Sequence, residues 1–109
     1  MKPFDIFITY MSWGDGGKDR PVLAFIVDEN SVDIYQITTR YESKSKEIQA
    51  LYFKINDWAQ AGLDKQSYVD TGTLITLSAE TFKNKAPIGE LTENDKRRLF
   101  AFLDNAIDT

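Results

Sequence analysis

An arginine set beside a proline, Arg20-Pro21, and two hydroxyls ahead of a second arginine, Thr38-Thr39-Arg40, are the residues of this chain best equipped for chemistry. A guanidinium presents a planar fork of donors that can hold a phosphate through two hydrogen bonds at once. A threonine hydroxyl can donate to a phosphoryl oxygen. Gly16-Gly17-Lys18 precedes Arg20, and Lys44 and Lys46 follow Arg40. Trp13, Tyr41 and Tyr68 interleave aromatic faces with this charge and could stack on unpaired bases. Singly, each feature reads more simply as a surface ion pair, a hairpin connection or a solvated loop. Gly16-Gly17-Lys18 has neither the spacing nor the helix of a phosphate-binding P-loop.

The inventory also excludes chemistry. The 109 residues contain no Cys and no His. That removes disulfides, thiolate nucleophiles, cysteine zinc sites, the Ser-His-Asp triad and imidazole bases. No carboxylates have a spacing that singles them out for metal binding or acid–base work, so neither a metal nor a cofactor is expected. Asp15 and Asp19 beside the glycines are ordinary turn residues. Acidic residues outnumber basic ones 17 to 13, for a net charge of −4. This argues against broad nucleic-acid binding and leaves room for a local basic patch. No apolar run reaches a membrane span and the N-terminus has no leader-like stretch. The expectation is one cytoplasmic domain over residues 1–109, with no membrane partner.

These side chains must be positioned by a β-rich scaffold. Phe4 to Tyr10 reads as a strand, followed by a mobile Gly- and Asp-rich loop from Ser12 to Asp19. Pro21 to Val27 is a nearly continuous apolar run, as in a strand buried on both faces, with Pro21 tolerable at its first position. Val32 to Thr38 alternates, Tyr41 to Glu47 reads as a projecting loop, and Ile48 to Ile55 as another strand. Asn56 to Gly62 resembles a helical turn, capped by Asn56 and closed by Gly62. Two short strands, Ser67 to Thr71 and Thr73 to Leu77, precede a turn or brief helix at Ser78 to Phe82. Thr92 with Asp95 three residues on resembles a capping box. It opens a helix whose apolar stripe is Leu99, Phe100, Phe102, Leu103, Ala106 and Ile107. Lys96-Arg97-Arg98 should face water.

In order along the chain, these pieces resemble the PemK/MazF family of toxin components from bacterial toxin–antitoxin pairs. The resemblance rests on Phe4-Asp5-Ile6-Phe7-Ile8, on the Gly-rich stretch running into Arg20-Pro21-Val22-Leu23, and on Ile37-Thr38. Leu63 to Val69, Ile88-Gly89-Glu90-Leu91-Thr92 and the terminal helix complete it. It spans nearly the whole chain through short motifs. It implies a small SH3-like β-barrel of the CcdB, MazF and PemK kind, with a short middle helix and a C-terminal α-helix, usually a homodimer. The implied activity is cleavage of single-stranded RNA, blocked by a cognate antitoxin protein. The family's catalytic Arg carries over to Arg20 and its catalytic Thr or Ser to Thr38. Trp13, Gly16, Gly17, Lys18, Thr39, Arg40 and Lys44 are then the candidates for holding RNA.

Such cleavage suits a chain without His. The substrate 2′-OH attacks the adjacent phosphorus, so the protein aligns groups and stabilises charge on the phosphoryl oxygens. The sequence departs from the family where some members carry a further Arg two positions before an Asp. Here the stretch reads Val69-Asp70-Thr71-Gly72 without it, so the acid–base roles of those residues do not transfer. The alternative is a binding module on the same barrel, holding nucleic acid uncut or a partner protein, as CcdB-type members bind gyrase.

Overall fold

The computed structural model describes residues 1–107, with side-chain surroundings through Asn105. Its strands are β1 (Asp5–Trp13), β2 (Gly16–Val27), β3 (Ser31–Thr38), β4 (Tyr52–Lys54), β5 (Tyr68–Ser78) and β6 (Gly89–Glu90). A short helix α1 (Lys46–Gln49) precedes β4, a 3-10 turn (Ala79–Phe82) follows β5, and α2 (Glu93–Ile107) closes the described chain. The strands form one antiparallel sheet in the order β4-β5-β3-β2-β1-β6, curled into a half-barrel.

Both faces of the sheet are covered, which explains why Val22, Leu23 and Ala24 are all buried in succession. On one face Ile6, Leu23, Ile37, Phe53 and Val69 pack with Leu91 and with Leu99 of α2, flanked by Phe102 and Leu103. On the other, Phe7, Val22, Ala24, Val32 and Ile34 are covered by Phe82, with Met11, Ile75 and Leu77 at the margin. The apolar run does not stay buried to its end. A register shift between Ala24 and Ile26 accompanies the emergence of Ile26 into solvent.

Several local expectations give way to tertiary contacts. The stretch from Ile48 is not strand at first: Ser45 caps α1 by accepting from the Ile48 N–H at 3.4 Å, and only Tyr52–Lys54 pairs into the sheet. The two strands expected around Gly72 are one long β5 with an irregularity. Between the pairs Gln36↔Asp70 and Ile34↔Ile75, the segment 71–74 loops out of register. The Asp70 carboxylate accepts the Gly72 N–H at 2.9 Å, and the Leu51 carbonyl takes both the N–H and the hydroxyl of Thr71. Residues 56–62 form successive turns with one helical bond, Ala61 N–H to the Asp57 carbonyl. Gly62 ends them at φ +91°, a conformation that favours glycine.

Asn56 is not the cap of those turns. The fully buried Asp95 carboxylate accepts from the backbone N–H of Asn56 at 3.3 Å and of Asp57 at 2.8 Å, and from Arg98 Nη1 at 2.5 Å. Thr92 caps α2 by accepting the Asp95 N–H, while its hydroxyl donates to Asp57 Oδ2 at 2.7 Å. The basic triplet is not a solvated face either. Lys96 pairs with Glu90 and Glu93 and lies 5.5 Å from the Phe4 ring centre. Arg98 reaches Asp95 and the Lys54 carbonyl across the ring of Phe53, so Arg97 alone is exposed. Phe100 is half exposed and meets Phe4 edge-on at 5.5 Å. The expected stripe positions Ala106 and Ile107 lie outside the residues whose side chains are described.

Because the buried Asp95 carboxylate joins α2 to the 56–62 turns and holds Arg98, which in turn reaches β4, its loss leaves two backbone donors and a partly buried charge without their partner. Asp95→Ala is expected to cost about 3 kcal/mol in urea unfolding through a lower midpoint at unchanged slope. Arg97→Ala should stay within about 0.5 kcal/mol.

Candidate functional site

Pro21 decides where the sheet opens. It sits within β2, not at its start, and pairs with Ile8 in an uninterrupted β1–β2 ladder that runs from Ile6↔Leu23 to Trp13↔Gly16. Successive residues of an antiparallel strand direct their hydrogen-bonding groups to alternate sides. A residue without an N–H inside an intact ladder must therefore turn its empty side to the other neighbour. That neighbour is β3, and its pairing with β2 begins only at Val22↔Gln36. Beyond that pair the strands part. The glycine-rich segment is thus not a mobile loop but the tip of a two-stranded arm, turned by Gly14 and Asp15, with Gly14 at φ +43°.

The parted strands enclose a cleft of about 130 Å³ between Lys18-Asp19-Arg20-Pro21 and Ile37-Thr38-Thr39-Arg40, with the buried Ser67 also in its wall. Carrying the Val22↔Gln36 register on by two residues sets Arg20 across from Thr38. Thr38 in turn pairs with Tyr68, and Tyr68 with Lys54. Arg20, Thr38 and Tyr68 therefore occupy one row on one face of the sheet. The next row on that face is Val22, Gln36, Asp70 and Tyr52.

The electrostatics of the cleft differ from those of the rest of the molecule. The ion pairs among the described residues join Lys2 to Asp5 and Glu90, Lys96 to Glu90 and Glu93, and Arg98 to Asp95. All lie at the α2 and β6 end, and neither Arg20 nor Arg40 takes part. The Arg20 guanidinium instead lies 5.2 Å from the ring centre of Trp13, which orients it without neutralising it. Thr38 Oγ1 accepts the Arg40 N–H at 3.1 Å, so the hydroxyl is positioned while its proton remains free to donate. Burial pushes the Tyr52 phenol above its ordinary pKa. Asp70 adds to this and Arg20 opposes it, so the arginine's charge is felt in the next row. Asp19 is the carboxylate in the cleft wall.

Of the residues proposed from sequence, the cleft gathers Lys18, Arg20, Thr38, Thr39 and Arg40, and Trp13 joins through Arg20. Gly16 and Gly17 are paired within the arm, opposite Trp13 and Ser12. A side chain at Gly17 would run into the Tyr10 hydroxyl, so this glycine lets the aromatic ring lie across the strand. Lys44 lies half-buried in the loop after β3, outside the cleft wall. Tyr41 and Tyr68 stack on each other, with ring centres 4.5 Å apart and planes within 13°. Sequence reasoning missed Ser67, which reaches the cleft only through the β3–β5 pairing and carries no local signal. It also missed Tyr52, whose place follows from its register with Asp70.

No protein-family model matches the chain, and no curated protein matches it at a significant level.

A guanidinium with no carboxylate partner among the described residues, set across from a donor hydroxyl, has the chemistry to hold a tetrahedral anion. Titration with inorganic phosphate is expected to move the amide resonances of Thr38, Thr39 and Arg40 and to leave those of α2 in place. Arg20→Ala should weaken that binding at least tenfold, the worth of a charge-assisted bond of roughly 1.5 kcal/mol or more.

Proposed function

We propose that the protein is an endoribonuclease of the PemK/MazF kind, cutting single-stranded RNA without a metal. The observation that carries this reading is Arg20, without a carboxylate partner among the described residues and set across a cleft from Thr38 by the parting of β2 and β3. The curled sheet with its terminal helix supports the finer assignment to the SH3-like barrel of that family.

In the reaction the ribose 2′-oxygen forms a bond to phosphorus as the bond to the 5′-oxygen of the next nucleotide breaks. The 2′ proton leaves to solvent and the departing 5′-oxygen is protonated, giving a 2′,3′-cyclic phosphate and a 5′-hydroxyl. Arg20 offsets the negative charge growing on the nonbridging oxygens, and Thr38 donates a hydrogen bond to one of them. A guanidinium releases its proton poorly at neutral pH, so Arg20 acts mainly as a fixed charge and the rate is modest. Lys18, Thr39 and Arg40 hold the flanking backbone, with Trp13 and the Gly16-Gly17 arm beside them, and Lys44 extends the positive field along the strand's exit. A cytoplasmic homodimer neutralised by an antitoxin completes the reading. Asp19 in the cleft wall favours a second one, in which the cleft holds nucleic acid without cutting it.

The two are separated by incubating single-stranded RNA with the protein in excess chelator. Wild type is expected to cleave, Arg20→Ala to be about 100-fold slower, and Thr38→Val about tenfold slower. Intact RNA at stoichiometric, folded wild-type protein would leave only the binding role.

A further inference from the structure

A second cavity, of about 180 Å³, adjoins the cleft and shares Pro21, Thr39 and Ser67 with it. Its character is different. Ile8, Leu63 and Ile88 supply apolar walls, with Asp64 and Lys65 at the rim. Ile8 and Ile88 are 39% and 41% exposed, so both present apolar surface at the slot. The walls are fixed. The Ile88 N–H donates to the Ile6 carbonyl at 2.8 Å, and the turn bearing Leu63 is pressed against 88–89 so closely that no side chain fits at Gly62 or Gly89. Next to the slot Lys85 Nζ donates to the Ile8 carbonyl at 3.2 Å and, with Lys65, belongs to none of the ion pairs among the described residues. At the shared wall the Ser67 hydroxyl donates to the Lys65 carbonyl at 2.9 Å, so what it can offer a ligand is an acceptor.

The surface therefore brings together a guanidinium and hydroxyls in the cleft, an acceptor at the shared wall, and an apolar slot with ammonium groups beside it. A nucleotide carries matching groups: a phosphate and, branching from its ribose, a hydroxyl, a flat amphipathic base and the next phosphate. Each cavity alone is smaller than the roughly 300 Å³ at which small-ligand sites begin, and joined they reach it. We propose that the slot between Ile8, Leu63 and Ile88 takes the nucleobase next to the phosphate held by Arg20, and that on this side of the cleft the RNA continues toward Lys65 and Lys85. This rests on the cleft being a phosphodiester site.

The test measures equilibrium binding, so that it does not depend on turnover. The probes are inorganic phosphate, a dinucleoside monophosphate whose first sugar is 2′-deoxy, and its two abasic analogues, one lacking each base. Ile88→Ser is expected to weaken the dinucleotide about tenfold, roughly the worth of the apolar contact removed, and to leave phosphate unchanged. Ile8→Ser, at a second lining residue, should give the same selective loss. Removing one of the two bases should cost wild type the same factor and cost Ile88→Ser nothing more. Wild-type dinucleotide affinity in both folded variants, or two abasic analogues that bind like the parent, would overturn the slot while sparing the cleft. Phosphate affinity unchanged by Arg20→Ala would instead remove the cleft reading beneath it.

Discussion

The missing N–H of Pro21 is the constraint on which the candidate site depends. A residue with a donor at that position could extend the β2–β3 ladder past Val22↔Gln36 and close Arg20 against Thr38 as neighbours in a sheet. Proline forbids that on the β3 side and leaves the β1 side intact. The result is a gap whose two lips are rigid strands. Functional groups on such lips keep their geometry better than groups on loops, and hydroxyls and cations can face one another without pairing internally.

The remainder of the fold keeps the lips in place and keeps counter-charges away. Core residues on both faces of the sheet hold the β2–β3 pairing up to its last rung. Asp95 ties the first turn of α2 to the backbone at 56–57, and the same segment continues into the turn that bears Leu63 and leads to Ser67. Charge is segregated in consequence. The cations near the helix are matched by Asp5, Glu90, Glu93 and Asp95, whereas Arg20 and Arg40 have no such partners among the described residues. A net charge of −4 is thus compatible with a local positive field, since the acidic excess does not converge on the cleft.

What could be read from the sequence was local. The first and third strands, the Thr92 cap and the apolar face around Leu99 follow from alternation, capping chemistry and helical spacing within a few residues. What could not be read was set by register or by distant partners. The break expected at Gly72 is a bulge because Leu51 and Asp70 satisfy its backbone. Asn56 lost its capping role to a carboxylate 39 residues away. Lys96 and Arg98 fold down because Glu90 and Asp95 lie beneath them. Arg20 and Thr38 were legible as chemistry, and the PemK/MazF resemblance paired them, but only the β2–β3 register shows them facing across one gap. Ser67 and the slot beyond it come from three separate segments.

Lack of His and Cys is no obstacle if the substrate carries the nucleophile, and that claim can be tested directly. An RNA substituted with a single 2′-deoxyribose immediately 5′ to the cleaved bond should remain whole at that position, while the all-ribose strand yields a 2′,3′-cyclic phosphate there. Cleavage of the deoxy-substituted bond, or a product ending in 5′-phosphate, would show that a water or protein group attacks phosphorus and would contradict the account.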